Sequence, residues 1–321
     1  MMFDRSPSHL PKIRPMRLGV LDVGSNTIHL QVIDAHRGSR PVHASSFKTE
    51  LRLTDFVDKN GHIDESGKEA LLLSIKDSLD QAEKLNLDEV LAFATSAIRE
   101  AENGREIIDA INLRLGLDLQ VLSGVEEATF TFLAVRRWLG WSSGDLLVLD
   151  IGGGSLEVAA GSDETPESTL SLPVGASRMT REFLKGDPFT SKSMDNLQDH
   201  LENVLEPMIE EFIRFNSCRA IGTSKTFRTL ARLTADLLGD APGVMERKSL
   251  ESLAKKLMTM STSERARLPR VSLFRAHQLV AGAIVARHLM RELNINAIEI
   301  CPWALREGIV LRRIDWLENL S

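Results

Sequence analysis

The chain has 321 residues, 43% of them hydrophobic and 26% charged, proportions of an ordinary globular protein that exclude disorder, collagen and coiled coil. Lysine and arginine total 39 against 45 aspartates and glutamates, a net charge of −6, so no global field attracts an anionic partner and a polyanion must be held by a local cluster. The two cysteines, Cys218 and Cys301, lie in apolar contexts without CxxC spacing or nearby histidine pairs, which argues against a disulfide framework or a zinc site.

Residues 1–15 carry Pro7, Pro11 and Pro15 and lack the apolar stretch of a signal peptide, so they read as a disordered leader. No apolar run reaches the roughly 18 residues a membrane helix needs. The expectation is a cytoplasmic protein with neither membrane nor nucleic-acid partners.

Two segments then share one design: LGVLDVGSNTIHLQVI at 18–33 and LLVLDIGGGSLEVA at 146–159. Each is an apolar strand tipped by an aspartate, Asp22 or Asp150, followed by a Gly-rich turn and a second strand. An unpaired carboxylate inside a hydrophobic run costs several kcal/mol unless it meets a cation or donors. The turns, Gly24-Ser25-Asn26-Thr27 and Gly152-Gly153-Gly154-Ser155, allow backbone N–H groups to point at an anion. A tight hairpin explains either turn alone, but not the repeated pair. A dinucleotide fingerprint fails because Glu157 stands where its third glycine belongs, and no Walker A spacing exists.

Between and after these hairpins, helical periodicity predicts helices at 63–85, 104–115, 124–139, 176–185, 190–215, 224–237, 248–260, 274–293 and 304–317. Strands are predicted at 90–94, 218–222 and 296–300. Duplicated hairpins among βα units imply an α/β protein of two lobes with a cleft between them; the Ser142-Ser-Gly-Asp145 turn is a plausible join by composition.

ATSAIREAENG at 94–104 leaves a buried strand through small polar residues, placing Thr95, Ser96 and Arg99 at its carboxyl end, where ligands gather in α/β sheets. Arg99 offers a forked donor for phosphate oxygens, or pairs on the surface with Glu102 or Glu106. Ser123 and Glu126 have capping-box spacing, which leaves Glu127 without that structural task on the same face as Phe130 and Ala134. A carboxylate there can take a proton from a water attacking phosphorus; the bland reading is an acid favoured in the first helical turn. AIGTSKTFR at 220–228 puts Gly222, Thr223, Ser224 and Lys225 at a helix N-terminus, where N–H groups favour anions. That segment reads equally as a capped helix with a solvated lysine. Arg265, Arg267, Arg270 and Arg275 read as a solvated face, His277 and His288 as buried or half-buried helix residues, and Trp303 and Trp316 as packing residues of a terminal helix.

Asp22-Val-Gly-Ser-Asn-Thr27, the 94–104 segment, Ser123-Gly-Val-Glu-Glu-Ala128, Asp150-Ile-Gly-Gly-Gly-Ser155 with Glu157, and Leu305-Arg-Glu-Gly-Ile309 together resemble the exopolyphosphatase and guanosine pentaphosphate phosphohydrolase family of the actin-like ATPase superfamily, from about Met16 onward. The resemblance implies two actin-like (ribonuclease H-like) lobes, 16–126 plus 303–321 and 127–302. It implies hydrolysis of the terminal phosphate of polyphosphate or guanosine pentaphosphate with Mg2+ or Mn2+, and a homodimer as a plausible state. On the matching positions it makes Glu127 catalytic, Asp22, Asp150 and Arg99 phosphate-site residues, and Glu157 a metal- or water-positioning acid, with the metal near Asp150 and Glu157. The third loop departs from the family's pattern, with Ser224 and Lys225 for two glycines. Long members continue into a helical domain where this chain stops, from which a preference for short chains is expected. An actin-like small-molecule kinase and a non-hydrolytic polyphosphate or alarmone sensor are the other readings.

Overall fold

A computed structural model describes residues 16–36 and 40–319; the expected leader at 1–15 lies outside them. The chain begins with β1 (Met16–Val23), β2 (Thr27–Ala35) and β3 (Val42–Glu50), then α1 (Glu65–Glu83), β4 (Glu89–Ala94), α2 (Ser96–Arg99), α3 (Gly104–Leu115) and β5 (Leu119–Val121). These strands form one five-stranded sheet ordered β3-β2-β1-β4-β5, with β1 antiparallel to β2 and parallel to β4. Leu21, Val23, Ile28 and Leu30 pack against Leu71 and Ile75 of α1 and Ile107 and Ile111 of α3. Each fully buried aliphatic side chain there contributes about 1.5–3 kcal/mol.

After α4 (Gly124–Leu139) come β6 (Leu146–Ile151), β7 (Leu156–Gly161), β8 (Ser168–Leu172), α5 (Ala176–Phe183), α6 (Ser191–Phe212), β9 (Arg219–Gly222), α7 (Lys225–Leu238), β10 (Val244–Glu246), α8 (Arg247–Thr259), α9 (Thr262–Arg265), α10 (Leu273–Glu292), β11 (Ala297–Ile300) and α11 (Leu305–Asn319). The second sheet is ordered β10-β11-β9-β6-β7-β8. The architecture is thus α/β with two sheets, each opening on an Asp-tipped hairpin. Among the described residues no helix is long and apolar enough to cross a membrane.

The predicted capping box starts α4: Ser123 Oγ accepts from the Glu126 amide at 3.2 Å, and Glu126 accepts from the Ser123 amide at 2.8 Å. The helix then packs on both β7 and α11. At its crossing with α11, a Cβ on Gly308 would collide with the carbonyl of Phe130, so only glycine permits that approach. Gly308→Ala is expected to destabilise the fold by about 3 kcal/mol, the upper range for overpacking, read as a lowered urea midpoint.

Several expectations change. Arg265 is fully buried, not solvated: its guanidinium donates to the carbonyls of Ala276 (2.9 Å) and Met260 (2.6 Å), satisfying each with a charge-assisted bond. Arg267 and Arg270 are exposed as expected, whereas Arg275 is half-buried. His288 is buried but His277 is exposed. Trp303 packs against Trp138 ahead of α11, while Trp316 is 50% exposed under the Arg313 guanidinium.

Candidate active site

Antiparallel register decides which side chains share a face. In the second hairpin Asp150 lies directly opposite Glu157, and in the first Asp22 lies opposite His29. Opposed residues of such a pair project to the same side with Cβ atoms about 5 Å apart. An acid pair therefore forms only in the second hairpin. Its turn closes through the Gly152 amide to Ser155 (2.9 Å), as the first closes through Gly24 to Thr27 (3.1 Å). The start of α5 folds onto the second turn: the amides of Gly175, Ala176 and Ser177 donate to the carbonyls of Gly154, Gly152 and Gly153. A side chain at Gly175 would strike the Gly153–Gly154 backbone.

Glu127, one position past the capping-box Glu126, is 7% exposed. It is held by an ion pair with Arg99, whose guanidinium also donates to the Leu122 carbonyl at 2.9 Å. Burial pushes the Glu127 carboxyl up to about 7, against the pull of Arg99. Glu157, 6% exposed, is raised well above its ordinary value, first by burial and then by the nearby charges of Glu127 and Asp150; the Ser171 hydroxyl donates to it at 2.9 Å. Asp22 is raised by burial and opposed by Arg306, whose guanidinium lies 3.9 Å away.

The third loop joins this group through Asp150, which accepts from the Thr223 hydroxyl and from the Ser224 amide at 3.2 Å. Those bonds lower a carboxyl that burial raises. Ser224 caps α7 by accepting from the Phe227 amide at 3.4 Å, with φ of +21°, a conformation easier for glycine. The two halves also meet directly: Asn26 Nδ2 donates to Ser177 Oγ at 2.9 Å, and Ser177 donates to Gln278 Oε1 at 2.5 Å.

A cleft of about 190 Å³ lies where these pieces converge. Asp22, Gly24, Ser25, Asn26, Thr27, Glu127, Asp150, Gly152, Gly153, Ser155, Glu157, Ser224 and Lys225 line it. The remaining sequence candidates sit just behind. Arg99 is engaged by Glu127, Thr223 by Asp150, Gly154 packs on Ser96 and Ser25, and Gly222 packs on Phe227. The alternative reading of Arg99, a surface pairing with Glu102 or Glu106, is not what forms: its guanidinium meets Glu127 and Glu100.

Sequence reasoning missed Thr131, Arg228, Arg275, Gln278 and Arg306 as lining residues. Two helical spacings held the signal: Arg228 lies three residues after Lys225, and Gln278 three after Arg275, so each pair shares a face. The cleft thus combines four acids (Asp22, Glu127, Asp150, Glu157) with four cations (Lys225, Arg228, Arg275, Arg306). That donor set suits a metal-bound phosphate chain.

The family model for the Ppx/GppA phosphatase family matches residues 32–316. Exopolyphosphatase 1 of Mycobacterium tuberculosis strain H37Rv is 48% identical over 309 residues, covering 94% of this chain and 89% of the relative. Among solved structures, an exopolyphosphatase from Cytophaga hutchinsonii superposes with a TM-score of 0.85 at 25% identity, over 94% of this chain and 98% of the other. The Aquifex aeolicus Ppx/GppA family member, at 23% identity and a TM-score of 0.78 over 96% of this chain and all of that one, shares the two-lobe actin-like fold. The repeated Asp-tipped hairpins, the acid-lined cleft and these matches agree: the chain belongs to the Ppx/GppA phosphatase family.

Proposed function

We propose that this protein is an exopolyphosphatase that removes the terminal phosphate of linear polyphosphate by attack of a water activated by Glu127. The observation that carries the reading is a single cleft in which a buried carboxylate with a pKa near neutrality shares the lining with four cations. A base poised near the working pH combines a useful ionised fraction with real proton affinity.

In the proposed step the water oxygen bonds to the terminal phosphorus, and its proton passes to a Glu127 oxygen. The bridging P–O bond breaks, with its electron pair leaving on the shortened chain. Arg99 positions Glu127 by holding one of its oxygens. Lys225, Arg228 and Arg306 offset the charge of substrate and leaving group.

A divalent cation, Mg2+ or Mn2+, fits the donor set. Mg2+ sites typically use one or two carboxylates together with substrate phosphates and water. Asp150 and Glu157 supply such a pair by register, while among the described residues no group of three protein ligands forms a complete cage. Bound there, the cation would neutralise phosphate charge.

Guanosine pentaphosphate ends in the same phosphoanhydride and is the second reading. Lys225, Arg228, Arg275 and Arg306 within the cleft suit a run of phosphates better than an uncharged nucleoside. A short chain is the expected preference. Phosphate release should be measured in parallel on tripolyphosphate, long polyphosphate, guanosine pentaphosphate and ATP with a small-molecule acceptor. Highest kcat/KM on tripolyphosphate supports the reading; preference for guanosine pentaphosphate, transfer from ATP, or binding without release replaces it.

The pH profile of kcat/KM reports the free enzyme. It should rise as Glu127 ionises near 7 and fall as Lys225 loses its charge near 8, a value set by burial and by Lys48, Arg275 and Arg228. A flat profile from 6 to 9 would remove Glu127 as the base.

A further inference from the structure

Outside the cleft lining, a relay of ion pairs crosses between the two halves of the molecule and ends on Glu127. Arg178, the third residue of α5, donates through its guanidinium to Glu100, the residue that ends α2. The same carboxylate lies 3.8 Å from the guanidinium of Arg99, which in turn holds Glu127 and the Leu122 carbonyl. Arg178 is also fixed to the second Gly-rich turn, since its amide donates to the Gly153 carbonyl at 3.1 Å. Neither Arg178 nor Glu100 is among the residues that line the cleft. Arg178 is costly where it stands. Its Nε is buried with no hydrogen-bond partner among the described residues, and burial lowers its proton affinity, with Arg181 and Arg99 adding to that effect and Glu182 opposing it. An unpaired buried donor and a half-buried charge beside like charges both oppose folding. Three residues further along the same helical face, Arg181 crosses between the halves as well, donating to the Thr54 carbonyl at 3.2 Å, so joining them does not require Arg178.

We infer that Arg178 is a positioning residue for hydrolysis: by engaging Glu100 it leaves Arg99 to Glu127. This inference rests on the exopolyphosphatase reading, in which Glu127 is the base. Glu100 and Glu127 are two carboxylates within reach of one guanidinium, and Glu100 has Arg178 as its other cation. Without Arg178, Glu100 turns to Arg99, and the bond that holds Glu127 is shared. A base displaced in this way leaves substrate binding intact but loses its alignment with the attacking water, and small misplacements of a reacting group are expensive in rate. Because the guanidinium and the amide belong to one residue, the charge that keeps Arg99 on Glu127 is anchored to the backbone of the 152–155 turn, next to the Asp150 and Glu157 pair.

The test is steady-state phosphate release from tripolyphosphate with Mg2+, on the full chain. Arg178→Gln should lower kcat about tenfold with KM within about twofold of wild type, because alignment is lost rather than binding. Arg178→Lys should retain most of kcat. Adding Glu100→Gln to Arg178→Gln should restore kcat to within about threefold of wild type, since it removes the competing carboxylate, a non-additive result of the kind expected for groups in one network. Arg181→Gln, which removes the neighbouring crossing, should change kcat less than about twofold. Unchanged kcat in Arg178→Gln, a loss confined to KM, a double variant no faster than Arg178→Gln, or equal losses at Arg178 and Arg181 would overturn the positioning role. If the wild-type chain released no phosphate, the exopolyphosphatase reading would fall, and urea unfolding then decides the relay by itself. The change that Arg178→Gln makes in the unfolding constant should differ by at least about threefold with and without Glu127→Gln; an equal change in both backgrounds rejects the relay.

Discussion

Glu127→Gln should lower kcat for phosphate release from polyphosphate by about 10³-fold, within the 10²–10⁴ range of a positioned general base. The amide keeps the size of the side chain and can still accept from Arg99 through its carbonyl oxygen, but it cannot accept the water's proton. Its partner bond to Arg99 and its place one turn inside α4 are otherwise preserved. Neighbouring Glu126 is a built-in control: it is fully occupied by Ser123, so Glu126→Gln should reduce activity little and cost only a fraction of the capping energy of about 1 kcal/mol. If the Glu127 variant released phosphate at the wild-type rate, the base would have to be sought elsewhere in the cleft.

A second large effect is expected at Glu157, with opposite signs for activity and stability. Glu157→Gln removes one of the two carboxylates proposed to hold the metal, and activity should fall by at least about 10²-fold. The metal-free protein, however, should become more stable at neutral pH. Glu157 titrates well above its ordinary value when folded. A group raised in this way contributes stability below its unfolded pKa and loses it as pH climbs through the folded value. At pH 7–8 a carboxyl held next to Glu127 and Asp150 is therefore a burden that glutamine lifts, while the Ser171 hydroxyl keeps an acceptor. A gain of about 1 kcal/mol, or ~3 °C in Tm, should appear at pH 8 and vanish near pH 4, where the wild-type carboxyl is protonated. A variant that melted lower at both pH values would show that Glu157 serves the fold rather than a cation.

Such a trade of stability for function is common where charges are kept together for a ligand. It also explains what could and could not be read in the sequence. The Asp22 and Asp150 hairpins were legible because an acid inside an apolar strand breaks a strong pattern, and helices 104–115 and 124–139 because their periodicity is sustained up to a terminal glycine, Gly116 or Gly140. Strand β3 was not legible: its outward-facing edge sequence VHASSFKTE carries mostly polar residues and draws its place from pairing with β2. Two arginines of the cleft escaped for a different reason. A charge on a helix is read as solvated unless something shows which face is covered, and Arg228 and Arg275 are covered only because α7 and α10 converge on one cleft. Arg265 misled likewise, since its partners are backbone carbonyls, which leave no mark in the sequence. Arg306 lay within a recognisable motif whose role is visible only beside Asp22.

Water is expected to attack the terminal phosphorus in this cleft. Hydrolysis of tripolyphosphate in ¹⁸O-enriched water, with Mg2+ present and products resolved by mass, tests it directly. One ¹⁸O atom in each orthophosphate released and none in the pyrophosphate left behind is the result expected; label in the pyrophosphate, or no orthophosphate at all, would contradict it.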